Sequence, residues 1–206
     1  METTANHHTD LHHDSTASKL GMWLFIFTEI LLFGGLFIVY SVYRFRNPVS
    51  FHLAHEELSV TIGFINTVIL LISSATMAVS ISAMQKNDRK MTIVMLTVTL
   101  LLAFTFLVNK YFEWGAKFDH GMYPGSELMQ ELSHGDMLFF GLYFFMTGLH
   151  AVHIIVGMVM IGVSLVQVRS GKINSGRYSL LENSGLYWHL VDLIWIFLFP
   201  LFYLIH

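Results

Sequence analysis

Leu20-Gly21-Met22-Trp23-Leu24-Phe25-Ile26-Phe27-Thr28-Glu29-Ile30-Leu31-Leu32-Phe33-Gly34-Gly35-Leu36-Phe37-Ile38-Val39-Tyr40-Ser41-Val42-Tyr43 carries Glu29 as its only Asp, Glu, Lys or Arg. A membrane-spanning helix needs about 20 mostly apolar residues, and a signal-peptide core only about 7–15. The run therefore reads as a retained spanning helix. Four more runs of the same kind follow: Leu58 to Met84, Met91 to Val108, Met137 to Val168 and Leu186 to Ile205. A barrel strand needs only about 9–11 alternating residues, whereas these runs are apolar on every face, as helices in lipid are. The expected fold is all-α: a polytopic membrane protein of five transmembrane helices.

Composition agrees. The 206 residues are 54% hydrophobic and only 12% charged, against about 25% charged in soluble domains. A net charge of -3 gives no reason to expect nucleic acid as a partner. Cysteine is absent, which removes disulfides, thiolate nucleophiles and Cys-ligated metal centres from consideration. The breakers between spans are Asn47-Pro48, Gln85 to Lys90, Tyr123-Pro124-Gly125 and Ser170-Gly171.

Orientation follows from Lys and Arg in the short connections, which favour the cytoplasmic side. Lys19, Lys86, Arg89, Lys90, Arg169, Lys172 and Arg177 fall on one side, and Arg44, Arg46, Lys110 and Lys117 on the other. The N-terminus is therefore expected in the cytoplasm and the C-terminus outside. The chain divides into a polar, His-rich cytoplasmic tail, residues 1–19, and a five-helix domain, residues 20–206. His7, His8, His12 and His13 in that tail suit proton buffering or metal binding, although such a tail is ordinarily solvated and partly disordered.

Polar residues inside the spans need a role. Ser59, Asn66, Ser73 and Ser80 recur every seven residues, a seam of small polar groups for helix packing; a pore lining is the rival reading. Glu29 lies roughly 13 Å into its span at about 1.5 Å per residue. A bare carboxylate there is costly, so it is expected protonated or hydrogen-bonded to a donor on another helix. Tyr143, Met146, His150, His153, Gly157 and Ser164 share one face of the fourth span. Two imidazoles three residues apart suit a metal only with ligands from other helices, so His150 and His153 read as interhelical structural histidines. In the last span Glu182, Gly185, His189 and Asp192 line one face, and read as a buried polar network fixing how that helix docks. No catalytic, cofactor-binding or metal site is expected on this chain.

These residues resemble subunit III of the haem-copper respiratory oxidases. Gly148-Leu149-His150-Ala151-Val152-His153-Ile154-Ile155-Val156-Gly157 is similar to the family's Gly-x-His-x-x-His-Val-x-x-Gly helix, and Tyr187-Trp188-His189-Leu190-Val191-Asp192-Leu193-Ile194-Trp195 to its Tyr-Trp-His-Phe-Val-Asp-x-x-Trp ending. Glu29 occupies the place of the family's intramembrane glutamate, Glu113-Trp114 resembles its Glu-Tyr or Glu-Trp, and Glu182 its acidic residue opening the final helix. Longer members carry two further helices before the first; this chain resembles the five-helix bacterial form. Asp119 to Ser126 follows the family's Asp-Gly-x-Tyr-Gly-Ser only in part, and Glu127 to Gly135 looks inserted.

The resemblance implies a non-catalytic subunit of a cytochrome c oxidase in a bacterial cytoplasmic (inner) membrane. It implies subunit I as main contact, subunit II in the same complex, haem and copper in those partners and none here, and bound phospholipid. Participation in a larger respiratory supercomplex is left open. Glu29 is the candidate for a proton-related or lipid-adjacent role; His150, His153, Glu182, His189, Asp192 and Asn66 are buried polar structural candidates. Subunit III of a quinol oxidase and the related subunit of a nitric oxide reductase are the near alternatives. A di-haem cytochrome would need axial histidines such as His150 and His189 facing each other, and a transporter would need a polar path or repeated halves.

Overall fold

The computed structural model describes residues 3–123, 125–126 and 133–204, with side chains from residue 17 onward. Six helices make up the described chain: α1 Thr3–Arg46, α2 Pro48–Glu56, α3 Val60–Gln85, α4 Arg89–Asp119, α5 His134–Arg169 and α6 Ser179–Tyr203. Five of them, α1 from Ala17 and all of α3 to α6, are long and apolar enough to cross a membrane.

Local chemistry sets the boundaries. Ser59 opens α3, its hydroxyl accepting from the Ile62 N–H at 3.4 Å, and Asp88 opens α4 by accepting from Met91 N–H at 3.0 Å; both satisfy donors that a helix start leaves unpaired. Ser133 and Asp136 do the same for α5, where Ser133 Oγ accepts from the Asp136 N–H at 3.2 Å and donates to its carboxylate at 2.8 Å. Asn47-Pro48 ends α1 and also starts α2, because proline suits a first helical position. Asn87, at φ 59°, makes the tight turn from α3 to α4, a left-handed conformation that Asn tolerates.

Helices α3, α4, α5 and α6 close a four-helix ring, each against its two neighbours, and α1 lies outside on α5 and α6. In the most apolar window of α6 61% of residues are buried, against 28% in α3, α4 and α5 and 11% in α1. So α6 is the central helix and α1 the peripheral one. Gly157 of α5 permits a close approach to α6: a Cβ there would lie 2.7 Å from Trp188 Cε3. At the Arg44 end, Tyr40, Phe51, Phe139 and Phe202 form an aromatic core joining α1, α2, α5 and α6.

Three expectations change. The first helix begins at Thr3, not Leu20, so the polar segment continues it as helix; the tail histidines' side chains lie outside the described residues. The third span does not end near Val108: α4 runs to Asp119, and Lys110 is a buried helical residue, not a loop charge. Of the proposed seam, Asn66, Ser73 and Ser80 are buried, while Ser59 is an exposed cap.

Candidate functional site

Glu29 of α1 and His153 of α5 form the pair most suggestive of chemistry. Glu29 Oε2 lies 2.9 Å from His153 Nε2, with both side chains 13% exposed. The second ring nitrogen, Nδ1, is 2.7 Å from the Leu149 carbonyl. A carbonyl only accepts, so Nδ1 carries hydrogen and a neutral ring leaves Nε2 bare. The contact to Glu29 therefore contains one proton, held on the carboxyl or on the imidazole. Phe33 packs edge-on to the His153 ring at 5.4 Å and Tyr187 Oη donates to the His153 carbonyl at 3.1 Å, which fixes the ring. Glu29 thus has a partner on another helix.

His150 does not share this environment. Three residues along α5, it is fully buried in the ring, stacked on Trp195 at 5.2 Å and edge-on to Phe106 at 5.7 Å. Neither of its ring nitrogens has a hydrogen-bond partner among the described residues. The two histidines point apart, so the face predicted to carry both splits between α1 and the bundle core.

The polar face predicted for α6 also divides. Glu182 pairs at the bundle end with Lys19 of α1, 2.9 Å away and half-exposed. His189 Nδ1 meets Ser74 Oγ of α3 at 2.7 Å. Asp192 is 3% exposed, and neither of its oxygens has a hydrogen-bond partner among the described residues. These groups form no single network, because Glu182 turns to α1 while His189 turns to α3. Glu182 and His189 each still tie α6 to a neighbour, and further bonds add to them: Trp188 Nε1 donates to Ser73 Oγ and Trp195 Nε1 to Thr67 Oγ1, each at 3.0 Å, and Ser184 meets Ser164 at 3.1 Å. Asn66 accepts from Asn109 Nδ2 at 2.8 Å, joining α3 to α4.

A second cluster was missed in the sequence. Lys110 and Glu113, i and i+3 on α4, are ion-paired at 3.2 Å with side chains 3% and 4% exposed. Lys110 Nζ also donates to Tyr143 Oη at 3.2 Å and Tyr203 Oη at 2.8 Å, while both phenols donate to Glu113 Oε1, Tyr143 at 2.6 Å. The Lys110 ammonium lies 5.0 Å from the Trp195 ring centroid. Every strong donor and acceptor is matched, the condition under which a buried ion pair is tolerated. The available signal was the i, i+3 spacing of opposite charges beside an apolar run.

The whole chain, residues 1–206, matches the family model described as cytochrome c oxidase subunit III. It is 30% identical over 205 residues to a probable quinol oxidase subunit 3 of Staphylococcus saprophyticus, covering 100% of this chain and 97% of that protein. It is 30% identical over 197 residues to the cytochrome c oxidase subunit 3 of Allomyces macrogynus, covering 91% of this chain and 67% of that one. It is also 33% identical over 204 residues to a haem-copper oxidase subunit I+III of Aeropyrum pernix, covering 91% of this chain but 22% of that longer protein.

Proposed function

Because the chain belongs to the cytochrome c oxidase subunit III family, we propose that it is the non-catalytic third subunit of a proton-pumping haem-copper terminal oxidase, a cytochrome c oxidase of aerobic respiration. It is a multi-pass membrane protein, and subunit III of a haem-copper oxidase family. In this reading it sits in a bacterial cytoplasmic membrane with the N-terminus inside. Subunit I is its main neighbour, subunit II belongs to the same complex, and phospholipid fills its outer grooves. Haem and copper in those partners supply the oxygen chemistry. Relatives named for quinol oxidase keep that donor as the second reading.

The observation that carries a role for this chain's own residues is the 2.9 Å contact between Glu29 Oε2 and His153 Nε2. The pair holds a proton near mid-membrane, can pass it between carboxyl and imidazole with little movement, and has an edge turned outward from the bundle. In this reading it supports proton uptake and durable turnover of the whole enzyme.

Glu29→Gln tests it. Glutamine keeps the shape and can donate to His153 Nε2, yet cannot exchange a proton. Haem spectra and assembly are expected to stay intact while oxygen consumption and proton release decline over many turnovers in reconstituted vesicles. Time courses matching wild type would remove the proton role and leave Glu29 as a packing residue.

A further inference from the structure

Asp192 is the one buried carboxylate without a hydrogen-bond partner among the described residues. It is 3% exposed, and both oxygens lack a hydrogen-bond partner among the described residues. Buried polar groups are almost always paired, so an orphaned carboxyl in a ring that satisfies Lys110 and Glu113 so fully calls for a donor from outside the chain. Ser74 lies beside it, close enough to interact with the carboxyl, and the Ser74 hydroxyl also meets His189 Nδ1 at 2.7 Å; a hydroxyl that accepts from the imidazole keeps its own proton for a further acceptor, so Ser74 bridges His189 and Asp192 without closing off the carboxyl.

His189 opens a way in. With Lys19, Trp23, Ile81, Glu182 and Leu186 it lines a cleft of about 280 Å³ where α1, α3 and α6 come together. The mouth holds the Lys19–Glu182 ion pair, a partly exposed polar rim. From Glu182 to His189 is seven residues, roughly 10 Å along α6, and Asp192 lies about 4.5 Å deeper. The polar groups thus descend in order: ion pair, imidazole, hydroxyl, carboxyl. The titratable groups along this descent are Lys19 from α1 and Glu182 and His189 from α6; α3 contains no Asp, Glu, Lys, Arg or His. The histidines of α5 are turned elsewhere, His150 to Trp195 and His153 to Glu29.

We infer that this cleft is an aqueous inlet that carries protons from the Lys19–Glu182 end of the bundle to Asp192, with the His189–Ser74 hydrogen bond as its last protein link. The donor that Asp192 lacks is water or hydronium. Asp192 is then an interior carboxyl that exchanges its proton with one side of the membrane only, a site separate from Glu29 and His153 on the other flank of α6. The inference concerns the chain's own side chains and goes beyond the oxidase reading; it holds for either electron donor.

The chain has no cysteine, so single cysteines report access without background when labelling is read on this subunit after the labelled complex is separated into its chains. His189→Cys, Ser74→Cys and Leu186→Cys are compared with Leu193→Cys, which lies on the 48% exposed apolar stripe of α6 next to Asp192. Each complex is purified whole and treated with a small, cationic, water-soluble methanethiosulfonate. Only a thiolate reacts, and it forms in water, so the inlet positions are expected to react at least about tenfold faster than position 193. Leu186→Cys keeps the test alive where loss of the His189–Ser74 bond prevents assembly. In parallel, infrared spectra of wild type and Asp192→Asn are recorded on transfer to D2O. The inference expects a carboxylic-acid band, lost in Asp192→Asn, that shifts within minutes. Equal labelling at 186, 189 and 193 would overturn it, and so would an Asp192 band that is absent or fails to shift over hours.

Discussion

Glu113→Leu should be among the most damaging single substitutions in this chain. It removes the carboxylate that accepts from Lys110, Tyr143 and Tyr203 and leaves the Lys110 ammonium, 3% exposed, facing two phenol oxygens and three ring faces. Breaking a buried pair from one side costs about 3–5 kcal/mol, because the stranded charge keeps its desolvation penalty. At about 2–4 °C per kcal/mol for a chain of this size, the midpoint should fall by roughly 6–20 °C. The double variant Lys110→Met, Glu113→Leu strands no charge, and Tyr143 and Tyr203, already 3.4 Å apart, can pair with each other. It should recover at least about half of the loss, since apolar replacement of a whole buried pair is often neutral. The assay is thermal unfolding of the purified complex in detergent, followed by intrinsic fluorescence and by size-exclusion recovery. A Glu113→Leu midpoint within about 2 °C of wild type, or a double variant below the single one, would refute this account of the cluster.

Two glycines of the ring should behave oppositely. Gly157→Ala puts a Cβ 2.7 and 2.9 Å from the buried Trp188 ring and 3.2 Å from Tyr187, an overpacking worth about 1–3 kcal/mol by thermal unfolding. Gly185→Ala meets only the tip of Ile81 at 2.5 Å, which can rotate away, and should cost under about 1 kcal/mol after the gain in helix propensity. Asp192→Leu should leave complex yield and midpoint near wild type, since the Ser74 hydroxyl keeps its bond to His189; a severalfold loss of yield would restore the docking role first expected of Asp192. The chain separated from its complex should show no stoichiometric haem band and no copper by metal analysis, and either one at one per chain would end the accessory-subunit reading.

The five spans were legible because length and apolarity alone set them in lipid, and the every-seventh-residue polar pattern of α3 located Asn66, Ser73 and Ser80 on its inner seam. Glu29 was legible as a group in need of a partner, but not the partner itself: nothing local to α5 says that His153 turns toward α1 while His150, three residues earlier, enters the ring. Lys110 was misread because a hydropathy window treats a charge as the end of a span, whereas an i, i+3 Glu and two tyrosines from other helices make that charge an interior group. The same distant contacts were invisible for α6, whose polar face is divided between α1 and α3 by where those helices stand. Pro48 was read as a breaker only, although a first-turn proline also starts α2.

The central claim is that this chain works as the third subunit of a haem-copper oxidase, and isolation of what it assembles with tests it most directly. An affinity tag on this chain, mild solubilisation of the native membrane and mass spectrometry of the purified complex should return a haem-bearing subunit I and a subunit II in equal amounts with it, together with oxidase spectra. Recovery of the chain alone, or with partners that carry neither haem nor copper, would contradict the account.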